Sequence, residues 1–539
     1  MTKEHQTELR EPLIDERSVQ SDSSAPEFDD DVFRREVRRR VLSKLFALAR
    51  PAHAYRLCKR VGYALTPQLL RTRIWNDVAP KSKQFPTSYL NGLRGITAVK
   101  VFTFHYLMAF TLSTFQPWGT NERFYYVLEL PIIRYFYAGF TSHIFFGVAG
   151  YLTSLRLFQL LDVGDAVSHS KVLLNVSGSL FRRAFRLYLP VFLITLITTT
   201  YIYFGLYETN RPYLLDHETL FPGDWNEPKP IQFPTYGEQL RFWRHEMFDL
   251  TNICTEDTVY PWHDQHLWSI LSEMRASLHL YGILVATAQC RRHVRLVVMS
   301  IMTGMYFMWN HWEVWVYILG GMVAQIDIIL TDRHKAQQET LPSEKNPSGV
   351  AAFGQTFLSS RVPATIFRHI KSSLRCLTFL LAFYFLSYPI DGSRDYAPGY
   401  MTLNRIIPEW MTRKDKFYPN FGTAILLLLL ARSDPPTSRW RRLLNNPIPQ
   451  YLGKISFALY LVHGPILHAI GYMIPHKIWW TMGVQGVDTG DLTWALVVSI
   501  GWAISLAMSL WAADVWTREV EGRCVRGVKR LEEMCFVKR

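Results

Sequence analysis

Ten apolar segments, separated by charged or polar stretches, constrain this 539-residue chain more than any other feature. They lie at about 95–115, 132–155, 187–206, 267–289, 296–309, 313–330, 374–390, 419–431, 455–474 and 492–513, the fifth and eighth being the shortest. About 20 consecutive apolar residues cross the hydrocarbon core of a bilayer, and a spanning segment of this kind satisfies its backbone as a helix. The segments therefore predict an all-α, polytopic membrane protein with about ten transmembrane helices. A mean hydropathy of +0.01 conceals this alternation.

The formal net charge is +14. Nucleic acid is not the implied partner, because the basic residues flank apolar runs and form no separate basic domain. The positive-inside rule accounts for them better. Ten spans with both termini cytoplasmic place Arg182, Arg183, Arg186, Arg291, Arg292, Arg295, Arg333, Lys335, Lys371, Arg439, Arg441 and Arg442 inside. Segment 207–265, with eleven acids against four basic residues, then lies outside. No cleavable signal precedes the first span, which itself serves as the targeting signal. No sorting motif selects a particular membrane. Residues 1–31 read as a disordered cytoplasmic tail, 32–88 as a cytoplasmic basic amphipathic segment, 89–515 as the membrane domain and 516–539 as a basic cytoplasmic tail. An inner linker is expected over about 331–372.

Six cysteines without paired spacing predict neither a disulfide framework nor a metal cluster. Motifs of soluble enzymes, HExxH, GxSxG and GxGxxG, are absent, and Gly453-Lys454 lacks the earlier glycine of a phosphate loop. What remains is polar chemistry inside apolar spans, where ionisable side chains are rare and usually functional. Residues 89–110 begin polar, with Asn91 and Arg94, and then run apolar around His105. Eleven residues separate Arg94 from His105, so on a helix they share a face, with a rise of roughly 16 Å between them. A guanidinium at the membrane edge and an imidazole deeper in would suit a long phosphate-bearing ligand. In the fourth span His266, Ser269, Glu273 and Ser277 follow one helical stripe, with Arg275 on the next. Ser456, Tyr460 and His463 form another in the ninth. These stripes serve equally well as structural contacts between helices. Arg183 and Arg186, in a loop before the third span, are placed to clamp phosphate oxygens. Positive-inside topology alone would put them there too.

Together the elements resemble one family. The stretch YLNGLRGITAVKVFTFH is similar to the first-span signature of the acyltransferase-3 family of integral membrane O-acyltransferases, an arginine or lysine, ten intervening residues and a histidine, here Arg94 and His105. Arg183 and Arg186 match that family's RxxR element. The stretch 143–152, HIFFGVAGYL, resembles its FFxLSGY element, with Val148-Ala149 in place of Leu-Ser and His143 where many members carry an acid. The segment 266–275, HLWSILSEMR, looks like HLWTIPVEFR, and 452–463, LGKISFALYLVH, like LGxISYSLYLxH.

The resemblance covers about 88–513 and implies transfer of an acyl group, acetyl above all, from acyl-CoA to a hydroxyl of a small-molecule, lipid or sugar-like acceptor. It implies no cofactor beyond acyl-CoA as co-substrate, no metal, and a lipid bilayer as surroundings. His105 is the expected general base or acyl carrier, and Glu273 the expected partner of a histidine or of the acceptor. Arg94, Arg183 and Arg186 would hold the donor phosphates; Arg275, Tyr460 and His463 would support the pocket or the oxyanion. A membrane transporter using His105, Glu273 and His463 as a proton or solute path is the alternative, and a non-catalytic receptor on the same scaffold a remoter one. The topology also places Cys254 alone on the outer side, without a disulfide partner, and the sequon at Asn175 in an unglycosylated inner loop.

Overall fold

A computed structural model of the chain describes residues 59–77, 84–119, 127–138, 141–162, 166–207, 230–255, 258–340, 364–390, 392–433, 438–484 and 486–536. The expected tail 1–31 and most of the amphipathic stretch that follows it lie outside these residues. Helices dominate, and among the described residues there is no β-strand. Ten of them fall on the ten apolar segments: α1 Ser88–Leu107, α2 Ser142–Leu161, α3 Ala166–Tyr203, α4 Trp268–Ala286, α5 Arg292–Met308, α6 Trp312–Thr340, α7 Ala364–Leu386, α8 Phe417–Ala431, α9 Pro447–Ile466 and α10 Asp491–Trp516.

Among the described residues five stretches, over α2, α3, α6, α9 and α10, are long and apolar enough to cross a membrane, so the expected count of about ten is not reached by length and composition. The reasons are local. Helices α5 and α8 have only 17 and 15 residues, while α1 carries Arg94, Lys100 and His105, and α4 carries Glu273 and Arg275. Those charges face protein. Lipid-facing surface is evident elsewhere: α10 exposes Leu492, Leu496, Ile500 and Ile504 in one stripe, and α5 exposes Val294, Val297, Ile301 and Met308. Apolar stripes of that extent on an outer surface mark a membrane-embedded face.

Three boundaries differ from the sequence reading. The second span starts later, at Ser142, because residues 131–134 form a separate short helix. The expected inner loop carrying Asn175, Arg183 and Arg186 is helical, part of the 38-residue α3 that continues past Pro190. Its charges lower the local hydropathy without lowering helix propensity. The expected C-terminal tail extends α10 through a π-helical turn, Thr517–Glu521, into a helix, Gly522–Cys535. That helix packs on α3, where Phe536 meets Phe181 and Arg182 pairs with Glu532. Residues 59–77 dock beside it, with Arg518 donating to the carbonyls of Ala64 and Thr66.

Helices α1 and α9 cross with almost no side-chain spacing. A Cβ on Gly95 would stand 2.3 Å from the Gly453 nitrogen, and one on Gly453 would stand 2.1 Å from the Asn91 carbonyl oxygen. Small residues permit such an approach in membrane bundles. The crossing brings the C-terminal half of α1 against the C-terminal half of α9. Beyond it Pro465 cannot donate to the helix ladder, and a π-helical turn, Leu467–Gly471, follows.

Candidate active site

A cavity of about 570 Å³ lies between α1, α2, α3, α4, α9 and the C-terminal helix. Arg94, Arg182, Arg183, Arg186 and Lys454 line it together with the acids Glu273 and Glu521, five basic side chains against two acidic ones. Arg186 and Val525 are exposed at one end, whereas His105 and His266 are buried at the other. The shared helical face of Arg94 and His105 thus becomes one wall of a single polar cleft.

At the buried end three imidazoles from separate elements converge. His105 comes from α1, His463 from α9, and His266 from the 3₁₀ turn Gln265–Leu267 that opens α4. The His266 ring stands at 90° to that of His105 with centroids 4.0 Å apart, and its centroid is 4.5 Å from that of His463. One ring nitrogen from each lies within 4.8 Å of the others. Asp264 caps the turn by accepting from the His266 backbone N–H at 3.1 Å, and its Oδ1 also meets His266 Nδ1 at 2.7 Å. His463 Nδ1 reaches the Tyr460 carbonyl at 2.7 Å. Assigned from these partners, both Nδ1 atoms carry the proton and both Nε2 atoms are acceptors. The turn lies flush against α9 because residue 464 is glycine: a Cβ there would be 2.6 Å from His266 Nδ1.

Midway along the cleft Arg183 donates to Glu273 at 2.8 Å and to the Tyr317 hydroxyl at 2.6 Å. Glu273 therefore pairs with Arg183, whereas the expectation gave it a histidine or the acceptor. Its lining position still leaves an edge toward the cavity. Arg275, one helical stripe away, points to Glu313 at 3.4 Å and does not line the cavity. Their side chains are only 9% and 7% exposed, which makes the pair part of the packing. The Tyr460 hydroxyl donates to the His266 carbonyl and meets Ser269 Oγ at 2.8 Å, so it braces the histidine turn.

The family described as "Acyltransferase domain" matches residues 87–513. The chain belongs to this acyltransferase family. Acyltransferase R4 of Phoma sp. is 26% identical over 493 residues, 84% of this chain and 97% of that protein. O-acetyltransferase PaAT-1 of Phomopsis amygdali is 26% identical over 466 residues, 79% of this chain and 81% of that protein. Acyltransferase clz18 of Cochliobolus lunatus is 22% identical over 498 residues, 84% of this chain and 97% of that protein. No solved structure matches.

In this acyltransferase His105, Glu273, Arg94, Arg183, Arg186 and Tyr460 share the cavity lining, His463 backs the histidine end, and Arg275 stands apart. His266, already part of the polar stripe of the fourth span, and further residues to which sequence reasoning gave no role complete it. Asp264 and His266 form the capped turn, Arg182 and Lys454 add charge at the wider end, and Glu521 enters from the C-terminal extension. The spacing Asp264-Gln265-His266 just before an apolar run is the available signal for Asp264.

Proposed function

We propose that this integral membrane acyltransferase is an O-acyltransferase that moves an acyl group, acetyl by preference, from acyl-CoA to a hydroxyl of a small, lipid-like or sugar-like acceptor. One observation carries the reading: a single cleft holds a basic cluster at one end and His105 at the other, matching a donor with phosphates at one end and a thioester at the other. Arg94, Arg183 and Arg186 hold the phosphates, assisted by Arg182 and Lys454, with both termini on that cytoplasmic side. Bidentate guanidinium contacts suit phosphate oxygens in such a partly dry cleft. Glu273 keeps Arg183 aligned through their ion pair.

At the buried end His105 takes the acceptor's hydroxyl proton as its oxygen attacks the thioester carbonyl. The tetrahedral intermediate then collapses, the C–S bond breaks, and the CoA thiolate leaves and regains a proton. His266, fixed by Asp264, holds the His105 ring toward the cavity, and the Asp264 carboxylate behind it supplies compensating negative charge while His105 is protonated. Tyr460 and His463 keep the turn and the rings in register. Purified protein incubated with labelled acetyl-CoA and a panel of hydroxyl acceptors tests the reading. Label should pass to at least one acceptor, and His105→Ala should abolish the transfer while folding persists. Undiminished transfer by that variant would remove His105 from the chemistry.

A further inference from the structure

The three histidines have a property that acyl transfer does not require. His105, His266 and His463 are 8%, 2% and 1% exposed, and one nitrogen of each falls within 4.8 Å of the others. Around a tetrahedral Zn²⁺ with bonds of about 2.0–2.1 Å, nitrogens sit roughly 3.3 Å apart. Ring rotations of little more than an ångström would bring this set to that spacing. Ligand type agrees, since neutral imidazoles suit zinc and its first-row neighbours.

The surroundings are those of a ligand set. Metal-binding histidines almost always donate their other ring N–H to a carboxylate or a backbone carbonyl, which fixes the tautomer and leaves the remaining nitrogen as the ligand. His266 does so to Asp264 at 2.7 Å and His463 to the Tyr460 carbonyl at 2.7 Å. Asp264, with a side chain only 2% exposed, contributes the negative charge that a divalent ion needs in a buried place. His105 and His266 both border the cavity, which supplies an entry path and a fourth coordination position for water. Arg94, on the same helix as His105, is roughly 16 Å away along α1.

We propose that His105, His266 and His463 bind a zinc-class transition-metal ion, and that the bound ion inhibits acyl transfer. The ion would take the lone pair on His105 that must otherwise accept the acceptor's proton, so the two uses exclude one another. Binding is independent of the acyl-transfer reading; inhibition rests on it.

The test uses the full chain, purified in detergent and stripped with a chelator. Titration with Zn²⁺ alone, read by equilibrium dialysis and metal analysis, should saturate at one ion per chain. Co²⁺ in its place should give the visible absorption of a tetrahedral site. His463→Ala and the more conservative His463→Gln should each lose that ion, and Asp264→Asn should weaken it by about 10–100-fold. Transfer from labelled acetyl-CoA should fall as Zn²⁺ loads and return when chelator removes it. Absence of stoichiometric binding, or equal binding by the His463 variants, overturns the site. Stimulation by Zn²⁺ overturns the inhibitory role and His105 as base together. If no acceptor is acylated but one ion still binds, the site stands and the acyl-transfer reading fails.

Discussion

Gly464→Ala tests the histidine end without removing any functional group. The added Cβ would lie 2.6 Å from His266 Nδ1 and 2.7 and 2.9 Å from the two Asp264 carboxylate oxygens. Ordinary contacts of this kind are about 3.5 Å or more, so the Asp264–His266 turn must withdraw from α9 by nearly 1 Å. Overpacking of this sort costs about 1–3 kcal/mol of stability. A misplacement of about 1 Å in a catalytic array costs about 10²-fold in rate, which corresponds to about 2.7 kcal/mol of barrier. Under the proposed donor site the phosphates would lie roughly 16 Å away along α1. Turnover should therefore drop about 100-fold while the donor KM stays within about twofold, a pattern of lost transition-state stabilisation. The assay is release of free CoA thiol from acetyl-CoA in the presence of an acceptor, paired with thermal unfolding. Gly282→Ala is the control, since a Cβ there meets nothing within 4 Å. Parental turnover in folded Gly464→Ala protein would refute a positioning role for Asp264 and His266.

Arg183→Ala combined with Arg186→Ala should raise the donor KM by at least tenfold and the acceptor KM much less; equal effects would mark the arginines as structural. Arg275→Ala should leave Glu313 buried without its guanidinium and lower stability by about 3–5 kcal/mol, visible in thermal unfolding, with both KM values little changed in protein that still folds. Asp415 and Lys416, 3.0 Å apart in the turn before α8, should behave similarly. Lys416→Met alone should destabilise by about 3–5 kcal/mol, and adding Asp415→Asn should recover much of the loss. Burial acts to raise the Asp415 carboxyl, but the charges of Lys416 and Arg413 outweigh it and hold the group well below the usual carboxylate range. Its contribution is thus present above the unfolded value of about 3.9 and declines as the pH falls below it toward the folded value. If both termini are cytoplasmic, as proposed, a membrane-impermeant maleimide should reach the exposed Cys254 and the exposed Cys535 from opposite sides of the membrane, which labelling of sealed vesicles before and after permeabilisation reads out.

The parts of the site legible in the sequence are those set by one helix at a time. Arg94 and His105 share a wall because 3.6 residues per turn returns position 11 to the starting face. Arg183 and Arg186 line the same cleft because they lie in the middle of α3, where three residues make close to one turn, a relation that the expected loop would not have fixed. Periodicity says nothing about which stripe faces which. Glu273 and Arg275 are two residues apart on α4, yet one meets Arg183 on α3 and the other Glu313 on α6. That choice depends on the rotation of α4 in the bundle.

Hydropathy likewise judged segments by average polarity, which misplaces chain that is polar because it is functional. The part of α3 that carries its arginines, and the extension beyond α10 with Glu521, read as loop and tail from the sequence because charge interrupts the apolar runs. In the folded chain those charges line the cleft. The histidine cluster shows the same limit most plainly. His105, His266 and His463 are isolated in sequence, so spacing rules for metal ligands could not find them. They meet because Gly95 and Gly453 let α1 and α9 cross closely, and because Gly464 lets the Asp264 turn rest on α9. The residues that decide the chemistry of that end are thus three glycines with no chemistry of their own, and substitutions there should disturb the histidines more than many changes within the cavity lining.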